Sequence, residues 1–284
     1  MLKKILSVYK KDGIKTLLVS LKNRYSTSKL IILENCQALI KNKSGLEIGG
    51  PSAIFSEKGM LPLYPIVKEL DNCNFSSNTI WEGNLKAGRT FEYDKNHSMG
   101  LQFILDTTNL DQIETNYYDF ILSSHVIEHL ANPIKALSEW IRVLKNDGIL
   151  LIIIPHKDGT FDHKRNVTAL RHIVEDYEKN SSEDDLTHLE EILNNHDLKK
   201  DIAAGTFEDF KARSINNFSN RCLHHHVFDT YSAISLINYL KLKILFVESF
   251  LPFHILIVAK KSAYHDNEGI VGMFTNNKIN TPFM

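Results

Sequence analysis

Residues 118–157, YDFILSSHVIEHLANPIKALSEWIRVLKNDGILLIIIPHK, read as strand, loop, helix, turn and strand. Tyr118 to Leu122 is a short apolar run with the character of a strand, and it ends on Ser123 and Ser124. Asn132 suits a helix N-cap, and Pro133 suits the first turn, where a missing N–H costs nothing. Ile134, Leu137, Ile141 and Leu144 then recur at spacings of three and four and form one apolar stripe. The helix stops at Lys-Asn-Asp-Gly, where Gly148 can take the left-handed conformation that closes a helix. Ile149 to Ile154 is uninterrupted apolar sequence, broken by Pro155. A strand apolar on both faces belongs in a parallel sheet covered by helices, so the stretch predicts a βαβ unit in an α/β domain.

The order of these pieces carries a family resemblance. Asp119 lies in a strand that leads to Ser124-His125-x-x-Glu128-His129. A helix ending in Arg142-Val143-Leu144-Lys145 follows, then Gly148, and the next strand closes on Pro155. This resembles the second half of the class I S-adenosylmethionine-dependent methyltransferase domain. The resemblance implies a Rossmann-like, doubly wound α/β sheet over residues 44–261, mostly parallel with an antiparallel last strand, and S-adenosylmethionine as cofactor. Residues 45–55, GLEIGGPSAIF, match the opening half. Leu46 to Ile48 make a brief strand, and Gly49 and Gly50 follow where the chain must turn sharply and let a ligand touch backbone. By resemblance, Glu47, Gly49, Gly50, Pro51 and Ser52 face the methionine end of the cofactor, although Pro51, Ser52 and Ala53 stand where further glycines are common.

Two acids complete the implied cofactor site. Asp71 lies 22 residues beyond Gly49, a spacing suited to the tip of the second strand, where a carboxylate accepts from both ribose hydroxyls. Asp106, after Leu101 to Leu105, resembles the acid that accepts from the adenine amino group, and Ser124 closes the site from the fourth strand. Residues 72–100, with Trp81, Phe91 and Tyr93, read as an insertion near the site.

Methyl transfer from a sulfonium to a hydroxyl is an in-line displacement, which needs alignment and a base for the hydroxyl proton. His125 is placed for that role by resemblance, and His226, in the run His224-His225-His226, is a second candidate from the opposite wall. Side chains alternate in an extended segment, so His224 and His226 are expected on one face. Some metal-dependent relatives hold a divalent ion with Glu-x-x-Glu-His and a distant histidine. The corresponding set here is His125, Glu128 and His129, with His125 in place of the first glutamate and His224 or His226 as the distant ligand. Such an ion orients two neighbouring hydroxyls and lowers the pKa of one.

After Pro155, residues 156–222 are charged and helical in places, with Ala169 to Tyr177 and Leu186 to Leu193 as candidate helices. Ligands bind outside the carboxyl ends of parallel strands, so an insertion here is expected to form a substrate wall or lid. Asp158, Asp162, His163, Lys164 and Arg165 open it, either as substrate contacts or as a solvated loop. Asp229 or Thr230 caps a helix through Leu240, and Lys243 to Phe250 and His254 to Ala259 read as the last two strands.

Bulk properties narrow the partners. At 284 residues the chain can hold one large domain with insertions, or one and a half domains, and its formal net charge of −1 offers no bulk attraction to nucleic acid. Cys36, Cys73 and Cys222 show no metal-ligand spacing and suit a reducing cytoplasm. The run Ile149 to Ile154 is far short of the roughly 20 residues that span a bilayer. Residues 1–25, within a basic extension over 1–43, carry Lys3, Lys4, Lys10, Lys11, Lys15, Lys22 and Arg24 against Asp12. They read either as a helix on an anionic membrane surface or a partner enzyme, or as a solvated extension. Residues 262–284 are expected to be a loosely held tail.

The whole predicts a cytoplasmic O-methyltransferase for a small polar acceptor. A sugar or sugar nucleotide is favoured, by the charged, His-rich substrate side and by a resemblance to methyltransferase-domain proteins of bacterial surface-polysaccharide synthesis. A lipid or quinone precursor, or a non-catalytic binding protein on the same fold, are the alternatives.

Overall fold

The computed structural model describes residues 32–275 and 282–283; the basic segment 1–25 lies outside them. In chain order the strands are β1 (Ser44–Ile48), β2 (Glu69–Asn74), β3 (Asn78–Thr79), β4 (Gly83–Asn84) and β5 (Gly88–Phe91). Then come β6 (Gly100–Ile104), β7 (Tyr118–Ser124), β8 (Leu144–Pro155), β9 (Lys243–Phe250) and β10 (His254–Lys260). The helices are α1 (Leu33–Ile40), α2 (Pro133–Val143), α3 (Leu170–Glu178) and α4 (Leu189–Asn195), followed by α5 (Phe207–Ile215), α6 (Asn217–Asn220), α7 (Thr230–Tyr239) and α8 (Glu268–Thr275).

Eight strands form one sheet in the order β5-β6-β2-β1-β7-β8-β10-β9, and β3 and β4 pair separately as a hairpin. The pairings among β6, β2, β1, β7 and β8 are parallel. β10 runs antiparallel to β8, as expected, and β5 adds an antiparallel edge on the other side. This is a Rossmann-like, doubly wound α/β sheet with an antiparallel last pair of strands.

The βαβ unit forms as its sequence dictates. The Asn132 side chain accepts from the Lys135 N–H at 3.0 Å and caps α2, with Pro133 at the first helical position. Ile134, Leu137 and Trp140 bury the stripe against Leu150, Ile152 and Ile154 of β8. The helix ends at Val143, and the left-handed residue in the following turn is Asp147 (φ 61°), not Gly148. Gly148 is needed for space, since a Cβ there would meet the Leu144 side chain at 2.7 Å.

No helix links β1 to β2. Pro51, Pro62, Pro65 and Gly59 leave only single turns at Ala53–Phe55 and Tyr64–Ile66, and Phe55, Leu61, Leu63 and Tyr64 fill the space a helix would cover. The insertion after β8 carries α3 to α6 and has its own small core of Ile192, Ala204, Phe210 and Leu223. Asp229 and Ser232 cap α7 reciprocally.

The expected loose tail is, as far as residue 275, a docked helix. Buried Asn267 donates to the Leu242 carbonyl at 2.8 Å and accepts from the Ile244 N–H at 2.9 Å, and Ile270 and Phe274 pack on the main core. Cys36 and Cys73 are buried free thiols and Cys222 is half-buried. Among the described residues no helix is long and apolar enough to cross a membrane.

Candidate active site

Four parallel strands deliver residues to one place. Gly49 follows β1, Asn74 ends β2, Asp106 follows β6 and Ser124 ends β7, and all four line a cavity of about 240 Å³. Trp81 and Glu82 of the β3–β4 hairpin, His125 and His129 of the loop after β7, and Arg221 of the insertion complete its walls. Ser124 and His125 also border a second, more open groove of about 470 Å³, with Ser52, Lys58, Met60 and His254.

The glycine turn is shaped from beneath. Gly49 has φ +80°, and a Cβ there would lie 2.6 Å from the Val126 side chain. The Gly50 N–H donates to the Asn72 side-chain oxygen at 2.9 Å, and its carbonyl accepts from the Asn72 amide at 3.0 Å. Glu47 is fully buried under the turn and accepts from the Ser52 N–H (3.1 Å) and the Tyr64 hydroxyl (2.7 Å). Burial pushes its carboxyl up to about 7 despite those bonds. Glu47 therefore supports the turn and does not reach the cavity; Pro51 is exposed, and Ser52 faces the groove.

Asp71 is not at a strand tip. It pairs with Leu46 within the sheet and is buried, accepting from the Leu101 N–H and the Tyr118 hydroxyl, each at 2.7 Å. Burial raises its pKa. β2 continues three residues further because the polar side chains that disguise it satisfy one another. Asn74 Oδ1 accepts from the amides of Asn72 (2.5 Å) and Gln102 (3.0 Å), and Asn72 also donates to Gln102 (2.9 Å). Asn74, at the end of β2, lines the cavity, as does Glu82 of the β3–β4 hairpin, whose carboxyl burial pushes up.

Asp106 does line the cavity. One of its oxygens accepts from the Thr108 N–H (2.9 Å) and hydroxyl (2.7 Å), and the other from Arg221 (3.1 Å). Arg221 also pairs with Glu183 at 3.1 Å and lies 5.3 Å over the Phe75 ring.

His125 takes a left-handed conformation, φ 56°, as the chain turns off β7, with its N–H donating to the Ile153 carbonyl at 2.9 Å. Its Nε2 is 2.9 Å from His254 Nδ1, and its Nδ1 is 3.5 Å from Glu128 Oε1. Burial pushes His254 down to about 3, which keeps it neutral.

Behind His125, ligand atoms of Glu128, His129 and His224 all lie within 4.8 Å of one another. Nδ1 of His129 donates to the Leu223 carbonyl at 3.1 Å, and burial lowers its pKa to about 3, so Nε2 presents a lone pair. Nδ1 of His224 is engaged by Asp162 at 2.5 Å, which leaves its Nε2 to the group. Burial opposes a charge on His224, but Asp162 outweighs it and the pKa is raised. Glu128 Oε2 is buried and accepts no hydrogen bond, while the neighbouring histidines hold the carboxyl ionised against the cost of burial. An orphaned carboxylate oxygen beside two oriented imidazoles suits a divalent cation. His125 stands outside this set, since its Nε2 turns to His254.

The three successive histidines diverge because the segment is not a regular strand. His224 meets Asp162, His225 meets Asn217 at 2.9 Å, and His226 meets Asp176 at 3.1 Å. His226 is fully buried, does not line the cavity and cannot serve as a base there. Asp162 and Arg165 are neither substrate contacts nor solvated. They form a buried pair at 3.0 Å, and Arg165 also donates to the His224 carbonyl, fixing the histidine backbone.

The sequence reading missed His254, Arg221 and Glu82. Antiparallel pairing of β10 with β8 sets His254 opposite Pro155, so the first residue of β10 arrives at the carboxyl edge. Only that register reveals it. Arg221 had one signal, its place just before the histidine run.

A model of the family described as "methyltransferase domain" matches residues 67–152, from the approach to β2 into β8. A Bacillus halodurans C-125 protein, provisionally described as a methyltransferase, is 14% identical over 83% of this chain and 100% of its own, with a TM-score of 0.48. A SAM-dependent methyltransferase from Aquifex aeolicus is 13% identical over 86% and 96%, TM-score 0.40. One from Methanosarcina mazei is 14% identical over 82% and 98%, TM-score 0.44. Likenesses so distant add nothing to what the strand order already shows. No curated sequence matches.

Proposed function

We propose that this methyltransferase-fold protein moves a methyl group from S-adenosylmethionine to an oxygen of a small polar acceptor, with a sugar or sugar nucleotide favoured. The observation that carries the reading is that Gly49, Asp106 and His125, far apart in sequence, line one cavity at the carboxyl edge of the sheet. The match to the methyltransferase-domain family over residues 67–152 supports the donor.

The residues present fit that cofactor. Gly49 leaves the backbone open where any Cβ would meet Val126, Asn74 and Glu82 offer acceptors for ribose hydroxyls, and Asp106 with Thr107 forms a polar end for the base. When bound, the cofactor supplies an electrophilic methyl. His125, at the junction of cavity and groove, is the base for the acceptor proton; its Nε2 now meets His254 Nδ1, so an acceptor hydroxyl would take the place of that contact, with Glu128 orienting the ring through Nδ1. Glu128, His129 and His224 would hold a divalent ion, whose chemistry is to lower the pKa of a bound hydroxyl. The polar, histidine-lined wall favours a hydroxylated acceptor over an apolar one. The same reading puts the protein in the cytoplasm, with residues 1–25 as its contact to an anionic surface or partner enzyme.

Isothermal calorimetry with S-adenosylmethionine, followed by transfer of a labelled methyl group to a panel of nucleotide sugars, tests this. Binding and turnover are expected. No binding at millimolar cofactor would overturn the reading, and turnover of an isoprenoid phenol alone would replace the acceptor class.

A further inference from the structure

A second group of imidazoles lies away from the cavity, where the insertion meets the loops that follow β7. Ligand atoms of His172 and Asp176, one turn apart on α3, and of His226 lie within 4.8 Å of one another. His226 Nδ1 is 3.0 Å from the Leu130 carbonyl, which can only accept, so this nitrogen carries the proton. In the neutral ring Nε2 is then a bare lone pair. Yet it faces Asp176 Oδ2, also an acceptor, at 3.1 Å. Something positive, a proton on Nε2 or a cation, must stand between these two buried atoms. His172 Nε2 is 3.3 Å from that same oxygen and 2.9 Å from His188 Nε2. Asp176 Oδ1 is committed to the Ser181 hydroxyl at 3.1 Å, which aims Oδ2 inward.

We infer that His172, Asp176 and His226 form a structural transition-metal site that staples the insertion to the loops following β7, with His188 beside His172 at its rim. The separations of Asp176 from His226 and from His172, 3.1 and 3.3 Å, approach the edge of a tetrahedron with metal bonds of roughly 2.0–2.1 Å, an edge of about 3.3 Å. Imidazole and carboxylate donors suit Zn²⁺ and its neighbours rather than Mg²⁺ or Ca²⁺. A ring N–H held by a backbone carbonyl is the usual outer support of a histidine ligand, and Leu130 supplies it. The position explains the role. The Asp176 carbonyl accepts from Asn132, the cap of α2, at 3.2 Å, and His226 is two residues from His224. A metal here fixes α3 against both loops that carry the cavity's own histidines.

Full-length protein freed of metal by chelation and titrated with Co²⁺, followed by its visible absorption and by thermal melting, provides the test. His129→Gln disables the group beside the cavity, so uptake by that variant reports this site alone. H129Q is expected to take up one equivalent of Co²⁺ with a rise in Tm, and H129Q/H172Q/H188Q none, without a rise. His172 and His188 are only partly buried, so both variants should show the same far-ultraviolet circular dichroism in the metal-free state. Equal Co²⁺ uptake by the two variants, or no uptake by H129Q, would overturn the inference, and neither result depends on cofactor binding.

Discussion

Glu47→Gln should change how stability depends on pH. The Glu47 carboxyl is buried, and its pKa rises from 4.5 to about 7, chiefly by desolvation. The folded protein thus binds the proton more tightly than the unfolded chain. Neutral Glu47 contributes fully below pH 4.5, and that contribution is lost as the pH rises through about 7. At about 1.4 kcal/mol per pH unit, the loss is about 3 kcal/mol. Glutamine keeps an acceptor for the Ser52 N–H but no longer accepts from the Tyr64 hydroxyl, a constant cost of about 1 kcal/mol. Urea denaturation of both proteins from pH 4.5 to 8 separates the two effects, because every other titrating group cancels in the difference. The variant should be slightly less stable than wild type at pH 4.5 and more stable by about 2 kcal/mol at pH 8. A difference that stays constant across this range would refute the assignment of Glu47 as a buried, proton-holding support of the turn.

Further predictions address the cavity. Gly49→Ala combines the Val126 clash with a left-handed penalty of about 1–2 kcal/mol, and should weaken S-adenosylmethionine binding by about tenfold or more in calorimetry. Asp71→Asn should lower unfolding stability by about 1–3 kcal/mol in urea while leaving cofactor affinity unchanged, because its bonds to Leu101 and Tyr118 lie inside the sheet. His125→Gln should reduce kcat by about 10²–10⁴-fold with cofactor affinity retained, as measured by single-turnover methyl transfer. Chelation followed by readdition of divalent metal should remove and restore turnover in wild type, whereas Glu128→Gln should not recover.

The βαβ unit was legible because periodicity, cap and proline agree over residues 132–155, and the final strand pair because its apolar runs have clear ends. Other features were hidden for definable reasons. β2 reads as ending near Asp71 because Asn72 and Asn74 look like loop residues, and only their partnership with Gln102 across the sheet makes them strand. Alternation predicted one face for His224 and His226, but each follows its own carboxylate, Asp162 or Asp176. Gly49, Asp106, Ser124 and His125 could be brought together from sequence because they sit at strand ends that local sequence marks, and all four line one cavity. Glu128, His129 and His224 do lie together, but His125, grouped with them on sequence, does not join them, and nothing local shows that its ring turns to His254.

The reversal of β10 has a consequence for when the protein becomes competent. Parallel strands alone set out Gly49, Asp106 and His125, yet the neighbour of the His125 ring belongs to the opposite-running strand, more than a hundred residues later. A chain ending at β8 would lack this histidine pair. On the proposed function, the corner that would handle the acceptor proton is complete only once the β9–β10 pair has joined β8.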